Sequence, residues 1–401
     1  MVAYLGDMGE EQSAADAPVD RVPLRTIARE WTRLGCIGFG GPPTHISLLR
    51  RLCVEEHEWL GANEFEDGIA ATNLLPGPAS TQLAIFCAWR LRGAAGAVLG
   101  GVCFILPGLV LILGLSAVFL ASHPPTPVLG AAAGAGAAVP AVALVAAWGL
   151  APPSWRRVHS RRAARARWIA YGCAGAAAAA TVGQLLVLVL LACGAIEVVA
   201  RSTSSRHASA RGVLPAMAVH SAAMGGLAAL AFVAIKVGAL SYGGGFVIVP
   251  LMQHDAVVTY HWMSGAQFLN AVALGQVTPG PVVQTVAVVG YAAAGIAGGL
   301  LAAAVAFAPS FVFVLAGGPR FDRIRRNTAV QSFFAGAGPA VIGAIAGSAL
   351  PLGLELGHLW QLAVLAAAML WLFVARRGVV SALCVMGSIG IVAGAVGAPV
   401  R

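Results

Sequence analysis

Charge is scarce in this chain. Only 10% of the 401 residues are charged, whereas 59% are hydrophobic and the mean hydropathy is +0.83. A soluble domain usually carries about 25% charged residues, so this chain has too little charge to cover a water-exposed surface of its size. The composition excludes an ordinary soluble protein and predicts an all-α polytopic protein of the cell membrane, surrounded by the lipid bilayer.

Lysine is almost missing, because 24 of the 25 basic residues are arginine. The arginines cluster at the ends of apolar runs, as expected if cytoplasmic loops retain them. A nucleic-acid partner would need a basic face with interleaved aromatic residues, and the sequence offers none. The basic segment 155–167 is therefore interpreted as a cytoplasmic loop that binds anionic headgroups.

The usual signatures of metal sites and enzymes are also missing. The seven cysteines form no C-x-x-C pair and the histidines have no H-E-x-x-H spacing, so we expect neither a metal nor a cofactor. There is no D-D-x-x-D motif and no nucleophile–base pair, which argues against an enzyme. The first 20 residues contain five acids and no basic residue before Arg21, which is the wrong charge for a signal peptide. Residues 1–24 are predicted to be a disordered acidic tail.

What the chain does contain is an internal repeat. The segment GCIGFGG at 35–41 matches GALSYGG at 238–244, and Pro-Gly-Pro at 76–78 matches Pro-Gly-Pro at 279–281. The offset is 203 residues throughout, with 11 identities in 44 gap-free pairs over 35–78. Such a repeat in an apolar chain indicates a membrane transporter built from two related halves.

The apolar runs divide into spans of about 20 residues. We predict 10–13 spans in total, with a linker at 201–228 that leaves an extra span open. The candidates in the first half lie near 30–50, 66–91, 95–121, 127–150 and 168–200, and those in the second half near 230–252, 266–292, 295–317, 328–350, 357–374 and 379–398.

Arginine placement predicts that the halves are inverted. Arginine follows the second and fourth spans of the first half, but the third and fifth spans of the second half. If all of these loops are cytoplasmic, the halves have opposite orientations. Arg50 and Arg51 do not fit this pattern.

Each Pro-Gly-Pro lies in a stretch that would otherwise span the bilayer. Proline removes a backbone donor and glycine loosens the chain, so each helix is broken there. Broken helices persist where they line a cavity, and a helix N-terminus suits an anion. Packing kinks are the alternative interpretation. The predicted substrate-binding residues at these motifs are Gly40, Gly41, Asn73, Pro76, Gly77, Pro78, Ser80, Thr81, Gln82, Gly243, Gly244, Gln276, Pro279, Gly280, Pro281, Gln284 and Thr285.

Two cations occupy equivalent positions in the repeats. Lys236, the sole lysine, and Arg33 each stand seven residues before a Gly-Gly pair. A buried cation is usually paired or functional, although one near a span end can reach the interface instead. We add both to the predicted substrate-binding set.

The acids are unevenly divided. Most of them between the first two spans are expected to be solvated, and the equivalent second-half stretch keeps only Asp255. Glu64 and Asp67 lie nearest the start of the broken span, so they are the candidates for proton coupling.

With these motifs the chain resembles the chromate ion transporter family in its long, two-domain form. The resemblance covers about residues 25–400 and rests on GFGG and SYGGG after a basic residue, on W-L/M-x-x-x-x-F, and on L-P-G-P and T-P-G-P followed by a Gln/Thr pair, and it extends to Pro107 and Pro309. It implies one family repeat at 25–200 and another at 229–401. It further implies chromate transport, generally as efflux that confers resistance and is driven by a proton gradient. The first repeat departs from the pattern, with Gly-Gly-Pro-Pro after its motif and with Arg33 where lysine is commoner.

Three other readings stay open at this point. Sulfate or another tetrahedral oxyanion would suit the same fold. A channel would look similar in sequence, although broken inverted repeats favour alternating access. An intramembrane enzyme such as a lipid-linked transferase is disfavoured by the missing motifs. The sequence also leaves a homodimer open.

Overall fold

The computed structural model describes residues 22–73, 75–158, 162–181, 183–202, 225–241, 246–317 and 326–400. Within these ranges the chain is helical and contains no strand, which confirms the predicted all-α membrane fold. The helices of the first half are α1 Leu24–Ile37, α2 Pro42–Arg50 with a π-helical turn Arg51–Glu56, α3 Ala62–Thr72, α4 Ala79–Phe119, α5 Thr126–Ala137, α6 Val139–Arg156, α7 Arg162–Thr181 and α8 Leu186–Ser202.

The second half follows the same plan. Its helices are α9 Gly226–Leu240, α10 Ile248–Gln253 with a π-helical turn His254–Thr259, α11 Gly265–Val277, a 3₁₀ turn Val282–Gln284 leading into α12 Thr285–Gly317, α13 Thr328–Leu354, α14 Leu359–Met369 with a π-helical turn Leu370–Val374, and α15 Val379–Ala395.

Several of these helices pair as hairpins and are named accordingly. Hairpins 1A (residues 24–56) and 1B (62–92) precede a long arm at 93–119, and hairpins 2A (226–259) and 2B (265–294) precede a second long arm at 295–317.

Hairpin 1A reverses direction at its glycine-rich turn. Before the turn, Gly35 lies against the backbone of Phe104 on the long arm. After the turn, the His45 ring meets the Phe104 ring edge-on, with centroids 5.1 Å apart. Further along, Cys53 contacts the thiol of Cys87 on hairpin 1B. The second limb therefore runs back beside the first.

Hairpin 1B reverses at Pro-Gly-Pro. Glu64 forms an ion pair with Arg90, and Gly68 lies against the ring of Phe86. These two contacts pair residues at increasing positions on one limb with residues at decreasing positions on the other. The limbs are therefore antiparallel, and the turn lies at the far end.

The second half repeats these local features. Helix α4 kinks at Gly93 (φ 60, ψ −149), and helix α12 kinks in the same way at Gly295 (φ 61, ψ −153). The π-helical turn of each half is followed by a stacked ring pair, His57 on Trp59 and Tyr260 on Trp262. Backbone geometry and side-chain packing thus follow the repeat seen in the sequence.

The two long arms cross in opposite directions. Gly101 lies against Phe311, and Gly299 lies against Leu113, so residues that rise on one arm pair with residues that fall on the other. The arms are therefore antiparallel. The inversion of the two halves across the membrane stays a prediction, which this packing supports.

The outer surface is suited to lipid. Val110 and Val312, one on each long arm, are 64% and 59% exposed, and exposed apolar surface on this scale indicates a membrane environment. In the part of the chain that the structure describes, four helical segments are long and apolar enough to cross a bilayer, and shorter apolar helices accompany them. The four segments are Ala79–Phe119, Thr126–Arg156, Val282–Gly317 and Thr328–Leu354.

The structure changes how four sequence candidates are interpreted. The regions near 30–50, 66–91, 230–252 and 266–292, expected as single spans, are parts of hairpins that turn back on themselves. Glycine and proline break the backbone hydrogen bonding locally, but only packing decides whether the chain then continues or reverses. The run 168–200 contains two helices, α7 and α8, and most of the apolar stretch 213–231 lies outside the described residues.

The positions of Arg50 and Arg51 agree with the arginine pattern because hairpin 1A reverses direction and ends on the side where it began. Arg50 pairs with Glu66 on hairpin 1B, and Glu64 of that hairpin pairs with Arg90, so these arginines lie at one common end. Retention of arginine on the cytoplasmic side then accounts for all of them.

We expect single cysteines near Arg51, Arg162 and Arg326 to report the same face of the membrane. Cysteines at Ser122 and His358 should report the opposite face. The measurement is labelling by an impermeant thiol reagent in intact cells and in everted vesicles, after replacement of the seven native cysteines. If Arg162 and Arg326 report different faces, the inverted arrangement is wrong.

Candidate functional site

The turns of the hairpins meet across the two halves. The Gly280 amide of hairpin 2B donates to the Gly38 carbonyl of hairpin 1A at 2.9 Å. A Cβ at Gly77 of hairpin 1B would lie 3.4 Å from the carbonyl oxygen of Gly238 in hairpin 2A. Each Pro-Gly-Pro turn therefore contacts the glycine-rich segment of the other half, and the predicted motifs come together at one central region.

The turn of hairpin 1A depends on glycine. Gly40 (φ 100) and Gly41 (φ 76) adopt conformations that other residues rarely take. The Gly38 carbonyl beside them accepts from Nε2 of the buried His45 at 2.8 Å, as well as from Gly280. His45 thus satisfies a carbonyl freed by the helix break.

The turn of hairpin 1B is closed by Gln82. Gly77 has φ 123, and the Gln82 amide donates from Nε2 to the Pro76 carbonyl at 2.7 Å. Helix α4 then begins at Ala79 without a side-chain cap, so backbone N–H groups at its first turn have no intrahelical partner. Ser80, Thr81 and Gln82 are all buried there.

The turn of hairpin 2B is tied to the first half. Gly280 has φ 99, and the following 3₁₀ turn has no side-chain cap. The buried Gln284 donates from Nε2 to the Ile105 carbonyl on the first long arm at 2.8 Å. Thr285 Oγ1 donates back to Val282 at 2.8 Å. The second break is therefore held by the opposite long arm.

Within the described residues, buried polar atoms without a hydrogen-bond partner concentrate near these turns. Burying such a group costs free energy unless a partner is supplied. The hydroxyls and the amide nitrogen among them can donate to an oxyanion. The atoms are His45 Nδ1, Thr81 Oγ1, Gln82 Oε1, Ser241 Oγ, Gln276 Nε2 and Gln284 Oε1 at the hairpins, and Ser310 Oγ on the second long arm.

The two predicted cations are both paired with acids. Lys236 forms an ion pair with Asp255 across the limbs of hairpin 2A, where the side chains are only 17% and 13% exposed. Arg33 instead pairs with Glu30 on its own helix at 3.1 Å, and its side chain is 54% exposed. The cations are therefore equivalent in sequence but differ in burial and partner. Asp255 is not a solvated loop acid, because hairpin 2A buries it against Lys236.

The structure does not bring the proton-coupling candidates to the turns. Glu64 lies in the first turn of α3 and pairs with Arg90, and Asp67 is exposed one turn later. At about 1.5 Å per residue, Asp67 is roughly 10 Å along the hairpin from the Pro-Gly-Pro turn. The helix direction explains the separation, because α3 begins at the end of hairpin 1B away from its turn.

A cavity of about 330 Å³ reaches hairpin 1B from one end of α6. Asn73, which is exposed, and Gly77 line it on the hairpin side, and Arg157 lines it on the α6 side. Gln276, which is the equivalent of Asn73 in the second repeat, is buried beside the turn of hairpin 2B. The remaining predicted residues Gly243 and Gly244 lie outside the described residues.

Several polar residues of the hairpins and of the second long arm were not predicted. Ser241 precedes the second Gly-Gly pair and Ser310 follows Pro309. Their position next to these motifs could have identified both as candidate site residues. His45 has Ile248 as its repeat equivalent, so a search for matched polar pairs overlooks it. Asp255 is the only acid between residues 198 and 321, which was its signal. Within the described ranges, no group of three or more His, Cys, Asp or Glu side chains is placed to hold a metal ion.

These features define a helical membrane transporter made of two related halves with broken helices at its centre. The family model for chromate transporters matches residues 25–198 and 228–397. The chain belongs to the chromate transporter family, as a multi-pass protein of the cell membrane.

Three relatives each match most of the chain. A chromate transport protein of Cupriavidus metallidurans is 32% identical over 337 residues, which is 82% of each chain. One of Pseudomonas aeruginosa is 30% identical over 84% of each chain. A probable chromate transport protein of Synechococcus elongatus is 28% identical over 84% of this chain and 86% of its own. No solved structure matches the chain. These names point to a transporter rather than an enzyme.

Proposed function

We propose that this protein exports chromate across the cell membrane, coupled to the proton gradient, and so confers chromate resistance. The observation that carries the proposal is the meeting of the hairpin turns, where buried hydroxyl and amide groups have no partner among the described residues. Chromate is a tetrahedral dianion whose oxygens accept hydrogen bonds. A site of neutral donors would bind it without fixing it in place by a strong charge.

The helix ends add positive potential at the same place. Helix α4 and the 3₁₀ turn after Pro281 both begin at the turns without side-chain caps. Each helix N-terminus carries about half a positive charge, so two of them offset part of a dianion. Gly77 and Gly280 have no side chain, so the amide groups of Gln82 and Gln284 lie close to the backbone at these turns.

Sulfate is the second candidate substrate. It has the same charge and the same tetrahedral arrangement of oxygens, and neutral donors do not distinguish it from chromate. The matched relatives that carry chromate in their names favour chromate. A competition experiment decides between the two oxyanions.

We expect everted vesicles that contain the protein to accumulate labelled chromate when their interior is acidic. A protonophore should abolish the accumulation, and vesicles from cells without the protein should show none. Excess sulfate should compete with chromate for the neutral donors, and labelled sulfate should accumulate less than labelled chromate does. Accumulation of sulfate in preference to chromate would mean that sulfate is the substrate. Absence of flux for both anions would refute the proposal.

Expression in a chromate-sensitive host should lower the chromate content of the cells and raise their tolerance. The control is the Gly108→Ala variant, whose expected loss of transport is argued in the Discussion. A raised chromate content would mean that chromate is the substrate but that the protein imports it. Unchanged content and tolerance would contradict export.

A further inference from the structure

Two cavities lie at opposite ends of the segment formed by α5 and α6. The first, of about 330 Å³, is lined by Leu150 and Arg157 near the end of α6. The second, of about 510 Å³, is lined by Ser122 before α5 and Leu129 within it. Residues 126–156 extend for about 45 Å at 1.5 Å per residue. The cavities therefore open toward opposite faces of the membrane.

Each cavity also reaches a different broken hairpin. The first cavity is lined by Asn73 and Gly77 of hairpin 1B. The second is lined by Gln267 and Asn270 of hairpin 2B. Both hairpins carry a Pro-Gly-Pro turn at the centre. The first cavity therefore reaches the central turn of hairpin 1B, whereas the second reaches hairpin 2B at the end away from its turn.

The cavities carry opposite charges. Among the described lining residues of the first cavity, Arg157 is the only permanently charged one. Among those of the second cavity, Glu355 is the only acid or arginine, and His358 lies near it. Retention of arginine in cytoplasmic loops places Arg157 on the inner face and Glu355 on the outer face.

We propose that the two cavities are the inner and outer vestibules for the oxyanion, with Arg157 as its capture residue and Glu355 as a residue that repels it. The proposal rests on the proposed function. A dianion feels a unit charge twice as strongly as a monovalent ion does. One charge about 8 Å away changes the local concentration of a dianion by roughly three- to thirtyfold. The chain thus favours entry from the inside and disfavours return from the outside.

Arg157→Gln should raise the KM for chromate about fivefold in everted vesicles, where the inner face is outward, and leave Vmax within about twofold. Arg156→Gln is the matched control, because the Arg156 guanidinium is exposed and donates to the Pro152 carbonyl rather than lining the cavity. Arg157→Lys should keep the KM. Higher salt should raise the KM of the wild type more than that of Arg157→Gln.

Glu355→Gln should strengthen inhibition by chromate trapped inside everted vesicles, where the lumen faces the outer vestibule. We expect the inhibition constant to fall about fivefold, while Glu355→Asp should leave it unchanged. Protein content of the vesicles is measured for every variant. If Arg157→Gln fails to reach the membrane, Arg157→Met, which keeps an apolar stem, carries the same test.

The proposal is overturned if Arg157→Gln and Arg156→Gln have equal KM values, because the effect would then come from the surface as a whole. An unchanged inhibition constant in Glu355→Gln would refute the role of the second cavity as the outer vestibule. Failure of the wild type to move chromate would refute the proposed function itself, so the two failures are distinguishable.

Discussion

Lys236→Gln is expected to abolish chromate transport while the protein remains in the membrane. Lys236 is the sole lysine, and its side chain is buried in an ion pair with Asp255 that joins the limbs of hairpin 2A. Removing one member of a buried pair leaves the other unpaired, at a cost of about 3–5 kcal/mol. It also removes a positive charge from a helix that leads to the central turns. Labelled chromate flux and protein content of the vesicles are the measurements.

The double variant Lys236→Gln with Asp255→Asn separates two roles of this lysine. If the lysine supplies charge to the oxyanion, the double variant stays inactive. If the pair only fixes the limbs of hairpin 2A, removing both charges restores transport, because no buried charge is left unpaired. Lys236→Arg should retain part of the transport in the first case.

Arg33→Gln is the control at the equivalent position of the first repeat. Its guanidinium is 54% exposed and pairs with Glu30 on the same helix. Exposed pairs contribute little, so we expect a smaller effect on transport than at Lys236.

Normal transport by Lys236→Gln would show that this lysine only anchors its helix, and the site would then rest on the turns alone.

Gly108→Ala is expected to reduce transport more than tenfold. A Cβ at Gly108 would overlap the Pro279 carbonyl oxygen and the Gln284 side chain, so the turn of hairpin 2B would have to move off the first long arm. Overpacking of this kind costs about 1–3 kcal/mol. It would also disturb the hydrogen bond from Gln284 to the Ile105 carbonyl. Flux and thermal stability in detergent are the measurements.

Gly114→Ala is a closely matched control. It lies six residues further along the same helix, and a Cβ there would meet nothing within 4 Å. Alanine favours a helix over glycine by up to about 1 kcal/mol, so this variant should be at least as stable as the wild type and fully active. Equal activity of Gly108→Ala and Gly114→Ala would mean that the turn of hairpin 2B does not depend on this close approach.

The sequence by itself determined the class of protein and the position of its breaks. Too few charges for a soluble surface predicted the membrane fold, and the 203-residue repeat predicted two related halves. These properties are local or compositional, so they can be read without knowing which residues touch. Gly77 and Gly280 illustrate this, because the left-handed backbone conformation at each turn is a property of glycine itself. The roles of the predicted site residues stay predictions.

Only the tertiary structure decided where the chain turns back and which groups meet. A break at Gly38–Gly41 permits either a kink or a reversal, and packing of His45 against Phe104 selects the reversal. Lys236 and Asp255 are 19 residues apart on separate limbs, so their pairing depends on the hairpin. Gln284 and Ile105 are 179 residues apart, in different halves. Such contacts depend on the folded path of the whole chain, because sequence patterns report which groups a helix carries and not which helix will lie against it.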